Sequence, residues 1–117
     1  EYIAREAAEL RAQGVCVHVH GDLSRLSPAA ASAVERVRRE TSGGQRLGLN
    51  LFISYGGRAE LVRAARLLAA DLESGALRAE DIDEQTIASR LYTAGCPDPD
   101  LLIRTSGEQR LSNFLLW

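Results

Sequence analysis

Arg104, Arg110 and Ser112 stand close together near the carboxyl end of the chain and have the chemistry of an anion site. A guanidinium presents a rigid fork of N–H donors that engages two phosphate oxygens at once, which a lysine ammonium does not reproduce. The apolar run Leu101, Leu102 and Ile103 reads as a strand near Asp100 to Thr105. Such a strand would deliver Arg104 to its carboxyl end, where open parallel sheets bind their ligands. Ser112 or Asn113 can cap a helix beginning at Phe114, whose unpaired N–H groups would face the same small volume. Gly107 permits positive φ and a close backbone approach. A phosphate or diphosphate suits this arrangement; the competing reading pairs Arg104 with Glu108 and leaves Arg110 in solvent.

Other constellations say less. Gly56-Gly57-Arg58 can form a second phosphate-binding turn, but it lacks the lysine and serine of a Walker loop and the spaced glycines of a dinucleotide site. Tight turning is its better reading, and neither Arg58 nor Glu60 is assigned a catalytic role. Cys16, His18 and His20 would share one face of a strand, yet structural zinc takes four ligands, so a polar strand face is preferred. Asp22 suits a backbone cap or turn better than a metal. Glu108 can orient one of the arginines or stand as an ordinary loop carboxylate. Phe114, Leu115, Leu116 and Trp117 can open an apolar helix that lines a core or a dimer interface.

The elements that must position these residues follow from periodicity. Ile3, Ala7 and Leu10 mark a first helix that stops at Gly14, after which Val15, Val17 and Val19 alternate with polar partners as a strand does. Ser27-Pro28 supplies an N-cap and a first-turn proline for a helix through Val34 and Val37, closed by Gly43-Gly44. Leu47, Leu49, Leu51 and Ile53 predict a second strand. Beyond Tyr55-Gly56-Gly57, the stripe Leu61, Val62, Ala65, Leu68, Ala69 and Leu72 predicts a helix ending at Gly75. Asp83 is positioned to cap a shorter helix holding Ile87, Ala88 and Leu91, which Gly95-Cys96-Pro97 breaks.

Strands alternating with helices predict an α/β fold, part of a mainly parallel sheet flanked by helices. Three strands fall short of the roughly five or six of a mean sheet, so the expectation is a partial domain over residues 1–117, incomplete at both ends. A net charge of −2 supplies no global basic field for nucleic acid, so phosphate affinity must come from local arginines. Two distant cysteines make no disulfide framework, and a reducing cytoplasm is the expected setting. No apolar run approaches the roughly 18 residues that span a bilayer.

The stretch Asp100-Leu-Leu-Ile-Arg-Thr-Ser-Gly-Glu-Gln-Arg-Leu-Ser-Asn-Phe-Leu-Leu-Trp117 resembles the signature of cis-prenyltransferases, the undecaprenyl diphosphate synthase group. Leu49-Asn50-Leu-Phe-Ile-Ser-Tyr-Gly-Gly-Arg-Ala-Glu-Leu61 is similar to the family's strand-to-helix segment, and Gly21-Asp22-Leu-Ser-Arg-Leu26 to a third. Ser54 stands where the family often has asparagine, and His20 where it commonly has an apolar residue.

The resemblance implies a cis-prenyltransferase fold in which Arg104, Arg110 and Ser112, with the backbone around Leu111, bind the diphosphate of isopentenyl diphosphate. It implies condensation with an allylic prenyl diphosphate to give a Z-polyprenyl diphosphate, undecaprenyl diphosphate or a similar lipid carrier. It further implies a homodimer, peripheral membrane contact through the lipid product, and Mg²⁺ whose ligands, like the catalytic aspartate, lie outside these residues. The 117 residues alone are accordingly expected to be inactive. Two alternatives stay open, a non-catalytic partner subunit of a two-component prenyltransferase and an unrelated phosphate-binding α/β module. The intact Arg-Thr-Ser-Gly-Glu-Gln-Arg-Leu-Ser-Asn segment favours a catalytic lineage over the partner subunit.

Overall fold

The structure, a computed structural model, describes residues 6–105, 107, 110 and 112–117. Two compact units divide the chain, Glu1–Tyr55 and Gly56–Trp117. In the first, alternation builds β1 (Val15–His20) and β2 (Leu47–Phe52), which pair in parallel from Val15 opposite Leu47 to His20 opposite Phe52. The valines point to one face because successive strand residues alternate sides. There Val15 and Val17 pack with Ala7 of α1 (Ala7–Ala12) and Val37 of α2 (Pro28–Thr41), joined by Leu10, Val19, Leu49 and Leu51. The α/β class and the parallel pairing are as the alternation predicts.

Local chemistry sets the ends of these elements. The Ser27 hydroxyl accepts the Ala30 N–H at 3.3 Å with Pro28 in the first turn, satisfying a donor that has no partner within the helix. At the other end the buried Thr41 hydroxyl donates to the Val37 carbonyl at 2.8 Å and accepts the Val17 N–H at 3.1 Å, so one group joins α2 to β1. After β1, Asp22 accepts from the Ser24 N–H at 3.3 Å and the Ser24 hydroxyl at 2.5 Å. It therefore acts as the backbone-turning residue that the Gly-Asp pair suggests.

The second unit begins with α3 (Gly57–Glu73) and continues through a turn of 3₁₀ helix, Ala79–Asp81, into α4 (Glu84–Ala88). Helix α3 closes on a Schellman motif: Gly75, at φ +75°, lets Ala76 N–H reach the Asp71 carbonyl at 2.9 Å while its own N–H reaches Leu72 at 3.1 Å. Asp83 caps α4 as expected, its Oδ1 accepting the Thr86 N–H at 2.7 Å.

Several expectations fail in this unit, among them that the helix capped by Asp83 holds Leu91, since α4 ends at Ala88. The stripe read along α3 is rotated: Glu60, Ala64 and Leu68 are buried, whereas Val62 and Leu72 are exposed. Apolar residues occupy more of this helix than one neighbouring layer covers, and a buried carboxylate at Glu60 is invisible to a hydrophobic pattern. The strand expected near Asp100 to Thr105 is also absent among the described residues, where β1 and β2 form the sheet. Leu101 and Ile103 are 75% and 80% exposed. An apolar run specifies that a segment wants burial, but a strand exists only where another edge takes its N–H and C=O groups.

Candidate functional site

Arg104, Arg110 and Ser112 do come together. With Leu102, Ile103 and Phe114 they line a cavity of about 280 Å³ within the second unit. The Arg104 guanidinium donates to the Ser112 hydroxyl at 3.2 Å and to the Arg110 backbone carbonyl. All three site residues are exposed to solvent. A lining of two arginines and a serine together with Leu102, Ile103 and Phe114 suits a ligand with an anionic head and an apolar portion. Leu111 and Glu108 lie outside the described residues.

Positioning comes from a different source than the one the sequence suggested. Residues 114–117 form no helix, and Asn113 caps α3 instead. Its side-chain Oδ1 accepts the Arg58 N–H at 2.8 Å and its backbone carbonyl accepts the Gly57 N–H at 2.8 Å. Gly56 and Gly57 make this possible by lacking side chains. A Cβ on Gly56 would stand 2.8 Å from Asn113 Nδ2, and one on Gly57 would stand 2.7 Å from Leu116 Cγ. The pair thus serves close chain approach, in keeping with the tight-turn reading, and its first helical N–H groups are taken by Asn113.

Polar contacts also hold the rest of this unit. The buried Glu60 accepts the Tyr92 N–H at 2.8 Å. Arg63 donates to the Arg90 carbonyl at 3.0 Å and lies 4.4 Å above the Tyr92 ring. Arg90 reaches the Asp71 carboxylate through Nε at 2.9 Å and Nη2 at 2.6 Å. The sequence offers Asn113 as a cap for the wrong helix and gives no sign of the roles of Arg63, Arg90 and Asp71, because their partners are distant in the chain.

The imidazole and thiol face of β1 is a polar strand face. His20 Nε2 lies 2.8 Å from Asn50 Oδ1 and the Cys16 thiol donates to the Ser42 carbonyl at 3.9 Å. Among the described residues no three histidine, cysteine or carboxylate side chains gather to hold a metal ion. Both cysteines are free thiols, and no helix among the described residues is long and apolar enough to cross a membrane.

Comparison with known proteins gives a consistent result. The family model for undecaprenyl diphosphate synthase matches residues 1–117. An isoprenyl transferase of Geobacter sulfurreducens is 48% identical over 117 residues, covering 100% of this chain and 48% of that protein. The ditrans,polycis-undecaprenyl-diphosphate synthase of Xanthomonas axonopodis pv. citri, specific for (2E,6E)-farnesyl diphosphate, is 45% identical over 97% of this chain and 44% of its own length. Among solved structures, lavandulyl diphosphate synthase from Lavandula x intermedia, in complex with dimethylallyl diphosphate, matches with a TM-score of 0.93. It is 40% identical, with 99% of this chain and 51% of that one covered. The chain spans about half the length of the curated relatives it matches.

Proposed function

From the premise that this chain belongs to the undecaprenyl diphosphate synthase family, we propose that it supplies the isopentenyl diphosphate subsite of a cis-prenyl diphosphate synthase. In that reaction the carbon–oxygen bond of an allylic diphosphate breaks and pyrophosphate leaves. The double bond of isopentenyl diphosphate attacks the allylic carbon, and loss of a proton leaves a new Z double bond. Arg104, Arg110 and Ser112 grip the diphosphate of the attacking substrate, with the backbone around Leu111 as a further donor.

One observation carries this reading: Arg104, Arg110 and Ser112 converge on the same cavity, beside apolar walls that suit a short isoprenoid. Fixed donors of this kind act chiefly by holding the nucleophilic alkene in reach of the electrophile. They also hold a polyanionic head group that water would otherwise solvate. Mg²⁺ would neutralise the departing pyrophosphate, and its ligands and the catalytic aspartate belong to parts of the enzyme outside these residues. The product is undecaprenyl diphosphate or a similar lipid carrier, made by a cytoplasmic homodimer that meets the membrane through that product. The 117 residues alone are inactive on this reading, and sustained incorporation of radiolabelled isopentenyl diphosphate by the bare chain would refute it.

The test is Arg104→Ala in the complete enzyme. A charge-assisted contact of about 1.5–3 kcal/mol corresponds to a rise of roughly 10–150-fold in the KM for isopentenyl diphosphate. The allylic substrate should be far less affected. Equal weakening of both substrates would overturn the assignment.

A further inference from the structure

We propose that Asn113 is a positioning residue for the isopentenyl diphosphate subsite, acting through the amino end of α3 and not through the substrate itself. The inference rests on the functional reading above and assigns the element that holds the site in shape.

The residues on either side of the anchor explain why one is needed. Ser112 has φ +54° and Leu115 has φ +45°, conformations that side-chain-bearing residues adopt only at a cost. Strained backbone persists where surrounding contacts over-determine it. Between these residues, Asn113 makes its two hydrogen bonds to Arg58 and Gly57, and Leu116 lies against Gly57. The anchor therefore clamps the segment at the residue next to Ser112, whose hydroxyl meets the Arg104 guanidinium. Releasing Asn113 lets Ser112 relax towards an ordinary backbone conformation. That movement carries its hydroxyl, and with it the partner of Arg104, out of the cavity wall. The Gly56-Gly57 pair is the matching notch on the other side of the contact.

Asn113→Leu and Asn113→Asp in the complete enzyme test this, with steady-state constants measured for both substrates. Leucine removes the acceptor while keeping bulk. Aspartate keeps it and adds a negative charge that a helix amino end favours. The expected result for Asn113→Leu is a rise of about tenfold in the KM for isopentenyl diphosphate, the scale of a lost helix cap, with kcat and the allylic KM changed by less than about threefold. Asn113→Asp should restore the isopentenyl diphosphate KM to within about threefold of the parent.

An unchanged KM in Asn113→Leu, equal weakening of both substrates, or an Asp variant as impaired as the Leu variant would each overturn the proposal. Should Asn113→Leu fail to fold, Gly56→Ala gives the answer. Gly56 has φ −158°, a backbone any residue adopts, so alanine adds only the collision with Asn113 Nδ2. The same selective rise is expected there, and its absence would overturn the role of Asn113. Arg104→Ala, run alongside, separates the two ideas. If it selectively raises the isopentenyl diphosphate KM while both anchor variants leave it unchanged, the subsite reading stands and the anchor falls. If it does not, the subsite reading itself falls.

Discussion

Glu1–Tyr55 and Gly56–Trp117 hold themselves together by different means. The first buries Ala7, Val15, Val17 and Val37 in one cluster and spends a single buried hydroxyl, Thr41, on joining helix to strand. The second buries Ala64, Leu68 and Leu91 but adds the Asp71–Arg90 pair, the Arg63–Tyr92 stack, the Glu60 contact and the Asn113 anchor. Apolar burial is non-directional and tolerates small movements. Hydrogen bonds and ion pairs fix angle and distance, as the proposed diphosphate subsite would require. The contrast is between a unit joined mainly by apolar burial and one joined also by directional polar contacts.

That contrast makes its boldest claim in the first unit. Val17 is 2% exposed, so Val17→Asp places an unpaired charge in the valine cluster and should destabilise the chain by about 3–5 kcal/mol. Urea unfolding measures this, and a loss below about 1 kcal/mol would mean that the cluster is not the scaffold. A smaller effect is expected in the second unit from Asp71→Ala. The Asp71 and Arg90 side chains are 29% and 34% exposed, so solvent screening limits the loss to about 1 kcal/mol. The deficit should shrink in high salt, and a salt-independent deficit would point to packing instead of charge.

The smallest effect concerns Asp83. The Thr86 hydroxyl, and then the Thr86 backbone N–H, donate to its carboxylate and hold its pKa below the ordinary 3.8. Because the folded value is depressed, the contribution to α4 is present above pH 3.8 and is lost as pH falls through the folded value beneath it. The Thr86 amide resonance should therefore titrate with a midpoint under 3.8 and cease to do so in Asp83→Asn. A midpoint at or above 3.8 would show that the cap contributes no such linkage.

The same division governs what could be read in advance. Ser27 and Asp83 were legible as caps because each meets an N–H only three residues on. The period of two in β1 and β2 was legible because alternation is a property of consecutive residues. Asn113 was read as a cap for the wrong helix, since its true partner, the Arg58 N–H, lies 55 positions away. Leu101 to Ile103 read as a strand because their composition reports a preference for burial, which is distinct from having a neighbour to pair with.

The sequence by itself determined which residue types gather at the candidate site, the two parallel strands with their helices, and the family to which the chain belongs. These depend on side-chain type, short-range periodicity and local capping, all written in neighbouring residues. Only the tertiary structure decided which face of α3 is buried and that Asn113 and Leu116 seat against Gly56 and Gly57. Those outcomes depend on which distant groups meet. A hydrogen bond or a close approach between segments exists only once folding has brought both ends to the same place.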